Sequence, residues 1–417
     1  MAASLKAGDR LPAWLPILLG FLQAVGPLST DMYLPAFPAI EASLHAAAGT
    51  AQITLGSWIV GLALGQLVQG ALSDRFGRRG PLVAGTLIYT VGAVGCALAP
   101  SIAVLSAWRL LAAFGASASM VIPRAIVRDV TQGRDSARLM SRLILVLGAA
   151  PILAPTLGGL VLQWASWRAI FWITAGYGLV ALGCAWLRLP DTLPVAARVP
   201  IHPVTMLRRY AHILTERGFL THALMMSFYA FSLFAYLGGS PTVFIEHYHY
   251  TPGQFALVFG AIAATFITAS QLNMRVIQRF DLDGTLRRAS TLYLVLAACV
   301  MLLALRDAPG PLLGLFLALT QGLTGFLNPT ATVGALRHHG AHAGSASALL
   351  GTMIFGIGAT SGFLVGWLTD GTAVPMAGLM LAGAVAAKVA DLARKERKFF
   401  FDKKNQKTFV SADADSD

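Results

Sequence analysis

Gly70-Ala71-Leu72-Ser73-Asp74-Arg75-Phe76-Gly77-Arg78-Arg79 closes one long apolar run and opens the next. Each part of this stretch has its own physical task. Gly70 lets helices approach closely, and Gly77 permits a tight turn. Asp74 can accept hydrogen bonds from the amides of a neighbouring helix N-terminus or pair with an arginine. Arg75, Arg78 and Arg79 suit a loop lying against an anionic leaflet. The stretch therefore reads as a cytoplasmic hairpin between two membrane-crossing helices.

The composition agrees with a membrane chain. Of 417 residues, 56% are hydrophobic and only 12% charged, with a mean hydropathy of +0.66; a soluble domain carries roughly 25% charged residues. A soluble protein is excluded. Lys and Arg total 31 against 19 Asp and Glu, a formal charge of +12. In a soluble chain that excess would suggest nucleic acid, but here the basic residues fall in loops on one side of the bilayer, so no nucleic-acid partner is expected.

Working outward from the hairpin, apolar runs lie near 14–36, 52–72, 81–100, 102–124, 140–163, 167–187, 219–245, 254–277, 289–306, 311–336, 343–369 and 373–390. Each is long enough, or nearly so, to cross as a helix of about 20 residues. With the N-terminus inside, Lys6, Arg10, Arg75, Arg78, Arg79, the clusters at 124–142, 188–217 and 275–288, Arg337 and the tail from Arg394 are all cytoplasmic, and only Arg168 and Arg306 lie outside. Both termini are thus expected in the cytoplasm. The one long polar connection, 188–218, contains Pro190, Pro194, Pro200 and Pro203 and reads as a linker. The fold predicted is an all-α membrane protein of twelve transmembrane helices in two pseudo-symmetric six-helix bundles, residues 1–187 and 219–392, with a disordered cytoplasmic tail at 393–417. The echo of the hairpin in Arg279-Phe280 through Gly284 to Arg287-Arg288 is faint support for duplication. Lys388 and Asp391 interrupt the last run, which is expected to be short, tilted or aided by lysine snorkelling.

Cys96, Cys184 and Cys299 are odd in number and widely spaced within apolar runs, so neither a disulfide framework nor a zinc site follows. No cleavage site follows the first run, which is read as an uncleaved span. His338, His339 and His342 cluster in one loop without an acidic or thiol companion, and no metal or other cofactor is expected. The absence of a phosphate-binding loop, a zinc pair on one helix or a nucleophile elbow argues against ATP-driven transport and against an enzyme.

The hairpin fills every defining position of the signature G-x-x-x-D-R/K-x-G-R-R/K, and in this the chain resembles the major facilitator superfamily. Within it, the chain is similar to the bicyclomycin-resistance drug exporters through Thr30-Asp31-Met32-Tyr33-Leu34-Pro35-Ala36-Phe37-Pro38, Arg124-Ala125-Ile126-Val127-Arg128-Asp129, Ala154-Pro155-Thr156-Leu157-Gly158-Gly159 and Ser166-Trp167-Arg168-Ala169-Ile170-Phe171-Trp172. Gly344-Ser345-Ala346-Ser347-Ala348-Leu349 is the clearest echo in the second half. The resemblance covers residues 14 to about 387. It implies the major facilitator fold and a proton-driven antiporter in a bacterial inner membrane, expelling small amphipathic drugs.

Several residues bear on that expectation. Asp31 is the only acid of the first span, and a charge at mid-membrane costs roughly 2.5–3.5 kcal/mol on insertion scales. It either binds and releases a proton as a cavity alternates or caps a helix broken at Pro35 and Pro38. Arg109 lies roughly 12 Å into the fourth span, where it either couples to Asp31 or only bonds helix carbonyls. The resemblance links its position to proton coupling, although Ala112 stands where the family has glutamine. Gly148, Pro151, Pro155, Gly158 and Gly159 make the fifth span bendable and closely packed. They resemble the antiporter motif G-x-x-x-G-P-x-x-G-G, with Ala150 and Ala154 replacing two glycines. Gln23, Tyr33, Phe234, Tyr236 and Asn328 are the candidates for a mostly apolar substrate pocket between the halves, packing being the alternative for each aromatic and an interhelical hydrogen bond for Asn328. With Gln23 rather than an acid deep in the first span, neutral or weakly charged amphiphiles of phenicol, bicyclomycin or sulfonamide type are the expected substrates. The expected partners are drug, protons and lipid, and the chain is expected to be a monomer. A metabolite transporter of the same fold and a non-transporting membrane receptor or scaffold are the alternatives.

Overall fold

The computed structural model describes residues 14–131, 153–198, 203–279, 282–337 and 343–394, with isolated residues 12, 139, 143 and 150. A backbone in hydrocarbon must satisfy its polar groups internally, so apolar runs this long become helices. The first half comprises α1 (Trp14–Asp31), the short α2 (Phe37–Ser43), α3 (Ala51–Phe76), α4 (Arg79–Leu98), α5 (Ile102–Val130), α6 (153–164) and α7 (Trp167–Arg188). The linker contains a further helix, α8 (Pro203–Thr215). The second half comprises α9 (Arg217–Pro241), α10 (Pro252–Arg279), α11 (Leu282–Leu305), α12 (Gly310–Leu336), α13 (Ala343–Leu368) and α14 (Val374–Leu392).

Among the described residues, 11 helical spans are long and apolar enough to cross a bilayer. The remaining expected span, 140–163, lies largely outside the described residues, and so do Gly148, Pro151, the three clustered histidines and the tail beyond Arg394. The first span continues past the expected end at 36 to Ser43. It is broken after Asp31, where Pro35 and Pro38 deny the helix two amide donors, and the chain passes through a 3-10 turn at Leu34–Ala36 before α2. Rows of exposed leucines and valines, such as Leu87 and Val91 on α4 or Leu315 and Leu319 on α12, form the outer surface. Such a surface suits lipid rather than water.

Small residues set the helix crossings. Gly61 and Gly65 of α3 lie against the backbone of α5 at Leu110 and Phe114, while Gly322 and Gly325 of α12 lie against Thr265 and Phe266 of α10. The second and fourth spans of one half thus meet as the eighth and tenth do in the other. A side chain at Gly61 or Gly325 would overlap the facing carbonyl, so these positions fix how closely the helices pack.

The buried apolar residues form three clusters, and their division is informative. At the end of the molecule away from the Gly70–Arg79 hairpin, one core joins both halves, including Tyr33, Phe37, Trp58, Phe171, Phe234, Phe255 and Met376. At the hairpin end, each half has a separate core: Leu15, Leu18, Ile122 and Ile126 in the first, and Phe219, Met225, Tyr229 and Tyr293 in the second. The far end is therefore closed by packing between the halves. There Gln52 Nε2 donates to Thr242 Oγ1 at 3.1 Å, Gly49 abuts Gly366, and Gly159 abuts Pro252.

The last span resolves the difficulty its charges posed. Asp391 is fully buried and accepts from Ser290 Oγ at 2.7 Å, Lys388 Nζ at 2.9 Å and Arg394 Nη2 at 3.0 Å. Lys388 also reaches Thr291 Oγ1 at 2.8 Å. The interrupting charges neutralise one another along α14 and are tied to α11 through Ser290 and Thr291, so Lys388 is held by protein partners instead of reaching for the membrane surface.

Candidate functional site

The hairpin is a closed ionic knot. Arg78 Nε donates to Asp129 Oδ2 at 2.7 Å, and its Nη1 bonds Asp74 and, at 3.1 Å, Ser73 Oγ. Asp129 lies at the end of α5, so Arg78 ties the fourth span to the loop between the second and third. Burial works against the Arg78 charge, but the hydrogen bonds it donates to Asp129 and Asp74 outweigh it and hold the guanidinium above its usual pKa. A cation stabilised in this way contributes below its ordinary pKa and loses that contribution only as pH rises through the higher folded value, so the knot's cation persists throughout physiological pH.

The linker completes the knot. Asp191 accepts from the Arg78 amide at 2.8 Å and from Arg198 Nη2 at 2.9 Å. Thr192 Oγ1 donates to Asp129 Oδ2 at 3.0 Å. Gly77 has φ +90°, and a Cβ there would overlap the Asp191 carboxylate. This glycine is required twice, for its backbone conformation and for the acid beside it. Arg79 bonds the Trp186 carbonyl at 2.5 Å and joins the third span to the sixth. Arg75 stacks on Phe76 at 5.2 Å, and a Cβ at Gly70 would meet the Val121 side chain only at an ordinary 3.8 Å, so no tight helix approach depends on this glycine. Asp129 stood within a quoted sequence motif, but no local pattern marked Asp191 or Thr192.

Arg109, 2% exposed, occupies an aromatic cage. Its guanidinium carbon lies 4.0 Å from the Tyr33 ring centre, 4.3 Å from Trp58 and 5.9 Å from Phe171. Stacking on aromatic faces is a favourable way to bury this cation. Nη1 donates to the Ser29 carbonyl at 2.7 Å, while Nε and Nη2 have no hydrogen-bond partner among the described residues. Ser29 Oγ pairs with Tyr89 Oη at 2.7 Å. A cavity of about 10 Å³, lined by Tyr33, Trp58, Tyr89, Cys96, Arg109 and Phe171 among others, adjoins the cage. It has room for about one water.

Asp31 is 6% exposed and ends α1 two residues after the carbonyl that Arg109 holds. It heads no helix and makes no side-chain hydrogen bond to a described residue, so the capping reading is not realised. Among the described residues Arg109 forms no salt bridge with Asp31; its hydrogen bond goes to the Ser29 carbonyl in the last turn of α1.

The remaining expected residues do not gather in one pocket. Tyr33 belongs to the cage, with its hydroxyl 3.3 Å from Thr54 Oγ1. Tyr236 stacks on Phe259 at 5.7 Å between centroids, and Phe234 packs with Phe355 at 6.1 Å. Packing is therefore what these aromatics do in this state. Gln23 is buried with neither polar side-chain atom partnered. Asn328 is half-buried, and its carbonyl accepts from Thr332 Oγ1 at 2.7 Å. The cavity beside Arg109 lies wholly within the first half rather than between the halves. Physically, the shared core at the far end has closed over the aromatic candidates. In the fifth span, Gly158 lies against the Met32 carbonyl just after Asp31, while Gly159 faces Pro252 of α10. Pro155 lies within α6. These contacts place α6 against the break in the first span and against the second half.

Residues 19–363 match the family model described as Major Facilitator Superfamily. The chain is 37% identical over 387 residues to an uncharacterized MFS-type transporter, YdgK, of Bacillus subtilis, covering 90% of this chain and 94% of that protein. It is 29% identical over 374 residues to a bicyclomycin resistance protein homolog of Haemophilus influenzae, with coverage again of 90% and 94%. Among solved structures, a D-xylose-proton symporter superposes with a TM-score of 0.72 at 13% identity, covering 90% of this chain and 95% of that one. At that identity the likeness concerns the fold alone.

Proposed function

Because the chain belongs to the Major Facilitator Superfamily, we propose that it is a proton-coupled antiporter that exports small amphipathic drugs from a bacterial cytoplasm. It lies in the inner membrane as a monomer with both termini inside. The observation that carries this reading is Asp31, a buried carboxylate at the break in the first span, two residues after the carbonyl that Arg109 holds. A buried ionisable group in a membrane span calls for a functional reason. The name of the relative from Haemophilus influenzae supports the drug class.

The mechanism follows from where Asp31 sits. The 3-10 turn three residues beyond it packs against α9 and α10 of the second half. A proton gained or lost at Asp31 therefore changes the charge at a joint between the halves. The shared core at one end and the divided cores at the other fit a molecule that opens alternately at its two ends. Proton arrival from outside and drug arrival from inside favour opposite states, and their mutual exclusion makes the exchange. Arg109 holds the last turn of α1 in position and balances the carboxylate. The hairpin knot braces the first half during the movement, and Gly158 carries the movement of the break to α6.

The test is drug-induced proton movement in energised inverted vesicles, over phenicols, sulfonamides, nucleosides and cationic dyes. Wild type should release protons with neutral amphiphiles, and Asp31→Asn should insert normally but release none. Proton-linked export retained by Asp31→Asn would sink the assignment. A response to one metabolite alone would favour a metabolite transporter.

A further inference from the structure

Membrane interiors penalise polar atoms that lack partners, so the ones left bare are informative. Five buried carboxamide side chains occur among the described residues: Gln23, Gln52, Gln69, Asn273 and Gln321. Gln52 donates to Thr242, and Asn273 donates to Thr330 Oγ1 at 3.3 Å. Gln69 leaves only its oxygen bare. Gln23 and Gln321 alone leave both oxygen and nitrogen without a partner. One lies in each half, and Gln321 is near the middle of its span, the depth at which transporters built from two repeats hold their substrates.

Gln321, 2% exposed, lies among no candidates read from the sequence. Its direction follows from helix geometry. Leu312, Leu315, Leu319 and Val333 are the exposed face of α12. At about 100° per residue, Gln321 is turned about 200° from Leu319 and so points toward the centre of the protein. Asn328, seven residues on, falls within about 20° of the same line. The two polar side chains thus form a row on the inward face of the tenth span.

We propose that Gln321 is a substrate-reading residue, specific for neutral molecules that present a hydrogen-bond donor and acceptor side by side, as a primary amide, lactam, imide or urea does. A carboxamide offers both an acceptor and donors. An anionic ligand would satisfy Nε2 and leave Oε1 bare, a cation would do the reverse, and a neutral amide-like group answers both. In the closed packing of this state neither atom is satisfied, so opening the halves to admit such a ligand relieves a cost that the empty state bears. Gln23 is the corresponding group in the first half. This inference rests on the export reading above and adds to it the chemistry that is recognised.

The experiment uses the full chain in proteoliposomes with an imposed pH gradient. The probes are bicyclomycin, whose lactams hold N–H and C=O on one side, its analogue methylated at both lactam nitrogens, and ethidium. Losing one well-formed hydrogen bond to a buried partner corresponds to about a tenfold change in affinity. Wild type should export bicyclomycin with a KM about tenfold below that of the methylated analogue. Gln321→Leu should raise the bicyclomycin KM to the analogue's value with kcat within about twofold. Gln321→Met provides a second variant, and melting of both shows that they fold. Wild type that treats bicyclomycin and its analogue alike overturns the proposal without any variant, as does a Gln321→Leu protein with an unchanged KM. Wild type that moves ethidium but neither neutral probe overturns it as well. Failure to move any probe against protons instead removes the export reading beneath it.

Discussion

Replacing Gly77 by alanine tests the account of the hairpin most directly. Gly77 has φ +90° and ψ 170°, a region that residues with a side chain occupy only under strain. That strain costs on the order of 1–3 kcal/mol. The new Cβ would also overlap the Asp191 carboxylate, which must move away from the Arg78 amide it holds at 2.8 Å. A hydrogen bond to a charged group contributes about 1.5–3 kcal/mol. Taken together, Gly77→Ala should destabilise the hairpin by on the order of 3–5 kcal/mol. The assay is thermal unfolding of the purified full-length chain in detergent, run as a double-mutant cycle with Asp191→Ala. Removing the carboxylate eliminates the overlap but not the backbone strain, so the two costs should be less than additive, with a coupling of about 1 kcal/mol or more. A Gly77→Ala protein that melts and exports like wild type would refute the reasoning. Strict additivity with Asp191→Ala would refute the overlap and leave only the strain.

Three further outcomes follow from the same geometry. Asp31→Asn should abolish drug-induced proton release while leaving the amount of inserted protein unchanged, as measured by quantitative blotting of the same vesicles. Asp391→Asn leaves Lys388 and Arg394 facing a neutral amide in a buried site and should cost about 3–5 kcal/mol in detergent melting; adding Lys388→Met should recover part of the loss, and no recovery would count against the neutralisation account. Gly158→Ala drives a Cβ into the Met32 carbonyl, whereas at Gly159 the nearest atom would be 3.1 Å away, so export should fall sharply for the first and mildly for the second. Equal transport rates for the two variants would contradict the assigned contact.

The helices and the hairpin were legible because the bilayer leaves few choices. An apolar run of about 20 residues has one way to satisfy its backbone, and the hairpin's glycine, acid and arginines recur at spacings with local meaning. Arg109 and Asp31 were legible for the same reason, as charges where charge is expensive. Their surroundings were not. The cage of Tyr33, Trp58 and Phe171 draws on the first, second and sixth spans, and nothing in a single sequence says which aromatics face one another across such distances. Asp191 carries no local signal, and only the fold sets it against Gly77. Lys388 and Asp391 appeared to spoil the last span because their partner Ser290 lies about a hundred positions earlier. Phe234 and Tyr236 have the chemistry of a substrate pocket, but in this closed packing their rings are occupied by Phe355 and Phe259.

The distribution of strong and weak contacts bears on how the halves move. The buried charge networks each brace one half: Arg78 joins Asp74, Asp129 and, through its amide, Asp191 in the first half and linker, and Asp391 joins Lys388, Arg394 and Ser290 in the second. The contacts that close the far end are of another kind, namely close backbone approaches at Gly49 and Gly159, apolar packing, and the Gln52 to Thr242 hydrogen bond. Apolar and backbone contacts can be exchanged for similar ones elsewhere at little net cost, whereas breaking a buried ion pair costs several kcal/mol. Rigid halves with an exchangeable seam follow. On the proposed mechanism, Asp31 is the titratable group placed to bias that seam, since it ends the helix whose continuation packs into it. A charge change there need supply only the small difference between two nearly balanced packings.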